Sequence, residues 1–217
     1  MRRSSPVPSS SSPPARGPNY ALRSLTGVGV GLAFVGAVLA YNHRSPRLPV
    51  LGTLPDFSLA GHDNQPLSLG ALRGRPFVAD FIFTTCAGLC PAMTARMAQL
   101  QKRLPAGVAI VSFTVDPEHD TPDVLARYAR DFGAGSTWRF ATGRREALYS
   151  LATEGFKLAA MEIPKDQQQA GSDGPFLHSS KFVLVDGGGR IRGYYDSEDS
   201  QALERLATDA ARCIGAS

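Results

Sequence analysis

A three-layer α/β sandwich is the fold this chain predicts, and three observations carry the prediction. Two runs, "PFVADFIF" (76–83) and "VAIVSFTV" (108–115), are too continuously apolar for strands with a wet face and read as central strands covered on both sides. After the first run, Met93, Met97, Leu100 and Leu104 recur at helical spacing and make one apolar stripe. Near the end, "KFVLVD" and "RIRGYY" form a hairpin across a Gly-rich turn at Asp186–Gly189, and an amphipathic helix closes the chain. Strands that alternate with helices and finish this way need helices on both faces of one sheet. That succession is the thioredoxin-like arrangement.

The elements follow in order. "DFSLAGHDNQPLSL", from Asp56, reads as a short hairpin with its turn at Asp63–Asn64. In the strand at 76–83 the one charged interruption is Asp80. A helix follows from Pro91. In "DTPDVLARYARDFG", Thr121 is placed to cap a second helix, Pro122 suits its first position and Gly133 closes it. "TWRFAT" is a short strand and "RREALYSLATEGF" a third helix, before the polar loop "PKDQQQAGSDGP". The last helix, from about Asp199, carries Leu203, Leu206, Ala207, Ala210 and Ile214 on one face.

The 217 residues leave room for one domain and an appendage. Residues 1–24 are a basic tail whose Pro/Ser-rich run has no apolar periodicity and is expected to be disordered. Residues 25–41, "LTGVGVGLAFVGAVLAY", carry no charge, and their 17 positions are enough to cross a bilayer as a short helix. Arg2, Arg3, Arg16 and Arg23 precede the run and no acid occurs before Asp56, so the tail is expected to stay inside and the domain to be exported. Small residues at Val38–Ala40 would suit signal cleavage, but the run is longer than the core of a typical signal, which favours a retained anchor. Residues 42–54, with Pro46 and Pro49, read as a tether, and 55–217 as the globular domain. The formal charge of +4 misleads, because five of the 23 basic residues lie in 1–44, leaving 18 against 19 acids. A nearly neutral domain has no electrostatic footprint for nucleic acid.

The chemistry concentrates in "FIFTTCAGLCPAM" (81–93), where two of three cysteines stand four apart as a strand gives way to a helix. With Cys90 at the N-cap and Cys86 one turn earlier, both thiols would face the positive end of the helix, which favours thiolate. Such a pair can close a disulfide or grip a soft cation. Thiolates select Cu(I), zinc or iron–sulfur clusters, and the last two want four ligands that the chain does not readily supply. Two thiolates and an imidazole suit copper. Of the four histidines, His43 falls in the tether, His62 in a polar turn and His119 among acids in "DPEHDTP", all read as solvated. His178, in "PFLHSSKFVLVD", directly precedes a strand whose leading loop meets the first helix in a thioredoxin-like layout.

"FIFTTCAGLCP", "VSFTVDPEHDTPDVLARYARDF" and "LHSSKFVLVDGGGRI" together resemble, in order and spacing, the SCO/SenC family of copper-binding assembly factors, from about Pro55 to Gly193. The resemblance implies a thioredoxin-like fold with one membrane anchor. It implies copper held by Cys86, Cys90 and His178, expected as Cu(I) with Cu(II) left open. It also implies an upstream copper donor, and delivery to the binuclear copper centre of a cytochrome c oxidase subunit. The expected location is the inner membrane, single-pass, with the domain in the periplasm, or in the intermembrane space if the chain is mitochondrial. Family members usually have Pro after the first cysteine, and here it is Ala87. Asp116, in the "VDP" segment, is a candidate for supporting the site or docking a partner; shaping the turn before Pro117 is the plainer alternative.

The same cysteines could instead serve a thiol–disulfide oxidoreductase. Asp80 stands six residues before Cys86, where thioredoxins keep a buried acid that moves protons. Against this, the pair encloses three residues and not two, and His178-Ser179-Ser180 occupies the place of the thioredoxin cis-proline. Met93 and Met97 are expected in the core, and Cys213 as a buried, inert thiol on the last helix.

Overall fold

The structure is a computed structural model, which describes residues 48–162 and 176–214; the basic tail, the apolar run 25–41, most of the tether and the loop 164–175 lie outside the described residues. No helix among the described residues is long and apolar enough to cross a membrane. The elements are β1 (Gly52–Thr53), β2 (Ser58–Gly61), β3 (Pro66–Ser68), α1 (Leu69–Leu72), β4 (Phe77–Ile82), α2 (Leu89–Gln101) and β5 (Ala109–Thr114). There follow α3 (Pro122–Asp131), β6 (Trp138–Thr142), α4 (Arg145–Ser150) with a π-helical turn at Leu151–Gly155, β7 (Ala160–Glu162), β8 (Phe176–His178), β9 (Lys181–Val185), β10 (Arg190–Asp196) and α5 (Ser200–Cys213).

Eight strands form one sheet in the order β1-β10-β9-β4-β5-β6-β2-β3. β4, β5 and β6 run parallel at its centre, and antiparallel strands extend it on both sides. Every residue of β4 and β5 is buried, as their unbroken apolar character requires. The register pairs Asp80 with Ser112 and Ser112 with Phe140, so these three share one face. Tyr128 of α3 meets that face edge-on at Phe140, with ring centroids 6.0 Å apart. α5 lies on the same side as α2: Arg96 of α2 pairs with Glu198 just before α5, and Arg103 just after α2 pairs with Glu204 of α5, both at 3.8 Å. The opposite face is aromatic: Phe81 stacks on Phe113 at 5.2 Å, and Phe156, just beyond the π-helical turn, closes on both at 5.4 and 5.5 Å. Two helical layers thus enclose the sheet.

Local signals explain most boundaries. Asn64 takes the left-handed conformation, φ 59°, that the β2–β3 turn demands and that an Asn side chain tolerates. The Thr121 hydroxyl caps α3 by accepting from the Val124 N–H, with Pro122 behind it. Gly189, φ 78°, completes the β9–β10 turn where a β-carbon would strain the backbone.

Four expectations are corrected. The domain begins before Pro55: Gly52–Thr53 pair with β10 and Leu54 is buried, so the last residues of the expected tether belong to the sheet. The third helix changes pitch at Leu151 to a π-helical turn. β7 and β8 form a separate two-stranded ribbon. Ile214 leaves the apolar stripe of α5, because the helix ends at Cys213 and the side chain stands 43% exposed; Ala202, Leu206, Ala210 and Cys213 are the residues that bury.

Candidate metal and redox centre

β4 delivers its chain to the site buried and rigid, and the loop 83–88 turns it into α2. The helix starts two residues earlier than Pro91 suggests. Gly88 is the N-cap, with no side-chain cap, and Cys90 is the second residue inside the first turn. Pro91 then takes the third position, where its missing N–H leaves no helical hydrogen bond unmade. Cys90 is fully buried and Cys86 nearly so. The Cys90 N–H donates to Cys86 Sγ at 3.3 Å, and the Phe83 N–H donates to Cys90 Sγ at 3.4 Å. The two sulfurs therefore line one pocket of backbone at the sheet end of α2.

The expected thiolate at Cys90 is not what burial allows. Desolvation outweighs the helix end and the Phe83 N–H, and the neighbouring Cys86 and Asp80 add to it, so the Cys90 thiol is pushed well above its usual range. The helix dipole acts through a charge of about half a unit, too little to offset full removal from water.

Beneath the thiols lies Asp80, fully buried, whose carboxyl oxygens accept no hydrogen bond among the described residues. Burial raises its carboxyl to about 7, against the weaker pull of the adjacent Ser112 hydroxyl, which is engaged by the Trp138 indole N–H at 2.9 Å. Tyr128 completes the neighbourhood. Thr94 Oγ1 donates to the Cys90 carbonyl at 2.8 Å, so the Tyr128 hydroxyl donates to Thr94 at 2.9 Å. Burial, above all, pushes the Tyr128 phenol up.

The other candidates separate. Asp116 is buried just beyond β5; its N–H donates to Thr114 Oγ1 at 2.9 Å and its carbonyl accepts from the Asp120 N–H at 2.8 Å, so its backbone does shape the turn. Burial and the Asp120 carboxylate raise its carboxyl. His62 is not free in solvent, since its Nδ1 accepts from the Phe140 N–H at 3.1 Å. His119 is half exposed and reaches Asp120 at 3.1 Å. His178 ends β8, its backbone in register with Ala160, with two residues between it and β9; its side chain lies outside the described residues. Met93 and Met97 are core residues, and Cys213 is buried with its thiol raised by desolvation. Sequence reasoning overlooked Thr84, Thr94, Asp120 and Tyr128, whose signal is three-dimensional.

The SCO1/SenC family profile matches residues 50–214. The chain belongs to the SCO1/SenC family. It is 31% identical over 193 residues to the SCO1 protein homolog of Bacillus subtilis, covering 87% of this chain and 96% of that one. Among solved structures, a SCO1/SenC family lipoprotein from Bacillus anthracis is similar at 30% identity and a TM-score of 0.68, covering 77% of this chain and 99% of that one. BsSco, described as a member of the Sco family of cytochrome c oxidase assembly proteins and as carrying a disulfide switch, is similar at 31% identity and a TM-score of 0.67, over 79% and 100%. The SCO1/SenC fold is thus the α/β thioredoxin-like fold expected, and the matched residues 50–214 take in both β1 and the β7–β8 ribbon.

Proposed function

We propose that this chain carries one copper ion between Cys86 and Cys90, with His178 as third donor, and delivers it to the binuclear copper centre of cytochrome c oxidase. The observation that carries this reading is the dithiol itself: two buried thiols, with the Cys90 N–H donating to Cys86 Sγ at 3.3 Å, on a SCO1/SenC scaffold. The donor set suits a soft monovalent ion, because thiolate sulfur is itself a soft donor that selects Cu(I). Bradyrhizobium japonicum ScoI, similar in fold at a TM-score of 0.62, is a protein whose structure has copper bound. A thiol that burial keeps protonated must surrender its proton as the ion enters, so loading releases protons. The apolar run 25–41 anchors the domain to the inner membrane, facing the periplasm, where the acceptor subunit and a copper donor are reached. Asp116, beside the half-exposed His119, is the docking candidate.

The test is a titration of the reduced, anaerobic protein with Cu(I) against a chelator of known affinity. One ion per chain is expected, and no retention would reject the reading. His178→Ala in the same titration is expected to weaken binding by about 100-fold without abolishing it, the loss of one of three donors. Unchanged affinity would remove His178 from the ligand set.

A second reading, a membrane-anchored thiol–disulfide oxidoreductase that reduces the cysteines of a copper-site client, is favoured by one observation. Asp80 is a buried acid without hydrogen-bond partners among the described residues, close enough to Cys90 to raise its thiol. An acid raised to about 7 can take or give the proton that thiol exchange moves.

A further inference from the structure

Asp120 is the most heavily hydrogen-bonded carboxylate near the dithiol, and its side chain bonds Thr84, Thr114 and His119. It is fully buried. Its Oδ2 accepts from the Thr84 N–H at 3.1 Å and from Thr114 Oγ1 at 2.6 Å. Its Oδ1 accepts from Thr84 Oγ1 at 2.5 Å and from His119 Nδ1 at 3.1 Å. A carboxylate offers about four acceptor sites, and four donors fill them. Two of the four come from Thr84, the second residue of the loop that carries Cys86.

We propose that Asp120 is a positioning residue for the dithiol: it fixes Thr84 by backbone and side chain, and so sets the path on which Cys86 meets Cys90. The loop is short. Thr84 is tied to Asp120, Cys86 N–H returns to the Phe83 carbonyl at 3.3 Å, and Cys86 Sγ is met by the Cys90 N–H at 3.3 Å. Two residues span at most about 7 Å, so the tie at Thr84 limits where the Cys86 sulfur can lie. Asp120 is held in turn from its own side, since its N–H donates to the Asp116 carbonyl and Thr114 sits at the end of β5. The anchor therefore belongs to the rigid sheet, and the loop borrows that rigidity. Thr85, Ala87 and Gly88 are exposed, so among the described residues this stretch has little packing to order it instead. Released from Asp120, the loop would have to be ordered by the ion or by the disulfide, and both would form less readily.

The inference rests on the copper reading for one of its two readouts and is independent of it for the other. The protein is compared with Asp120→Ala, which removes all four acceptors, and Thr84→Val, which deletes one tie and keeps the shape. Cu(I) affinity and the equilibrium constant for Cys86–Cys90 disulfide exchange with dithiothreitol are measured, with thermal unfolding run alongside. Asp120→Ala is expected to weaken Cu(I) binding by about 10- to 100-fold and to move the exchange constant by about tenfold, as loss of a supporting contact does at metal sites. Thr84→Val is expected to shift both in the same direction by about threefold, at the low end of what one hydrogen bond supplies. A folded Asp120→Ala with both constants within about twofold of the parent would reduce Asp120 to a structural residue and overturn the proposal. If Asp120→Ala does not fold, Thr84→Val decides, and unchanged constants there overturn it. If the parent protein holds no copper, the copper reading fails while the exchange constant still judges the positioning role.

Discussion

Cys90→Ala is expected to lower the Cu(I) affinity of the reduced protein by at least about 1,000-fold while leaving the fold intact. The reasoning is geometric. Cys90 supplies a sulfur inside the first turn of α2, fully buried, where no other thiol can replace it: Cys213 lies at the far end of α5. A single thiolate with an imidazole leaves the ion with one soft sulfur donor where the parent offers two. Alanine is the right probe because it removes the sulfur from an apolar setting at a cost on the order of 1 kcal/mol. Serine would bury a hydroxyl among Met93, Phe83 and Asp80 and confuse ligand loss with instability. Competition against a copper chelator, with circular dichroism to certify the fold, measures the effect. Retention within tenfold of the parent would show that the dithiol is not the copper site.

Asp80→Asn is expected to flatten the pH dependence of stability. The carboxyl titrates near 3.8 when unfolded and is raised to about 7 in the fold. Below pH 4 both states hold the proton and the residue makes no pH-dependent contribution. Between about pH 4 and 7 the unfolded chain loses the proton while the native state keeps it, so stability falls as pH rises, by about 1.4 kcal/mol per pH unit. Across that window the loss reaches about 4 kcal/mol, and it levels off above pH 7. Asparagine cannot ionise, so the variant should gain on the parent from pH 5 to about 7 and hold that gain at pH 8. The comparison cancels the carboxylates held low by arginine or lysine partners, such as Asp186 and Asp196, whose stabilisation runs the other way and is lost in acid. Urea unfolding at pH 5, 6.5 and 8 gives the two curves. Parallel curves would mean that Asp80 is paired and ionised within the fold.

The strands were legible because burial on both faces leaves a compositional mark: β4 and β5 lie within one residue of the ends of the two apolar runs, allowing for Val108 and Val115. The cap of α3 and the start of α5 were legible for a local reason, since Thr121 and Asp199 satisfy N–H groups two or three residues away. The start of α2 was misplaced because Pro91 fits the first helical turn at more than one position, and only the backbone of Gly88 decides which. β7 and β8 were missed because three-residue strands carry no periodicity, and their pairing joins residues on either side of a long polar segment.

The same division runs through the site. The identity of the chemistry was written in the chain, because soft-metal and redox work demand thiols at a close spacing and Cys86 and Cys90 stand four apart. Composition alone removed nucleic acid from consideration and set the basic tail apart from a nearly neutral domain. What the thiols do in the absence of a metal was not legible. Helix position argued for thiolate, and burial, which depends on every neighbour at once, reverses the sign at Cys90. Nor could the chain announce Asp120, which stands 36 residues from Thr84 and meets it only when β4 and β5 lie side by side. Residue type and spacing are carried along one dimension, whereas desolvation and the filling of four acceptor sites exist only once the sheet has brought distant segments together.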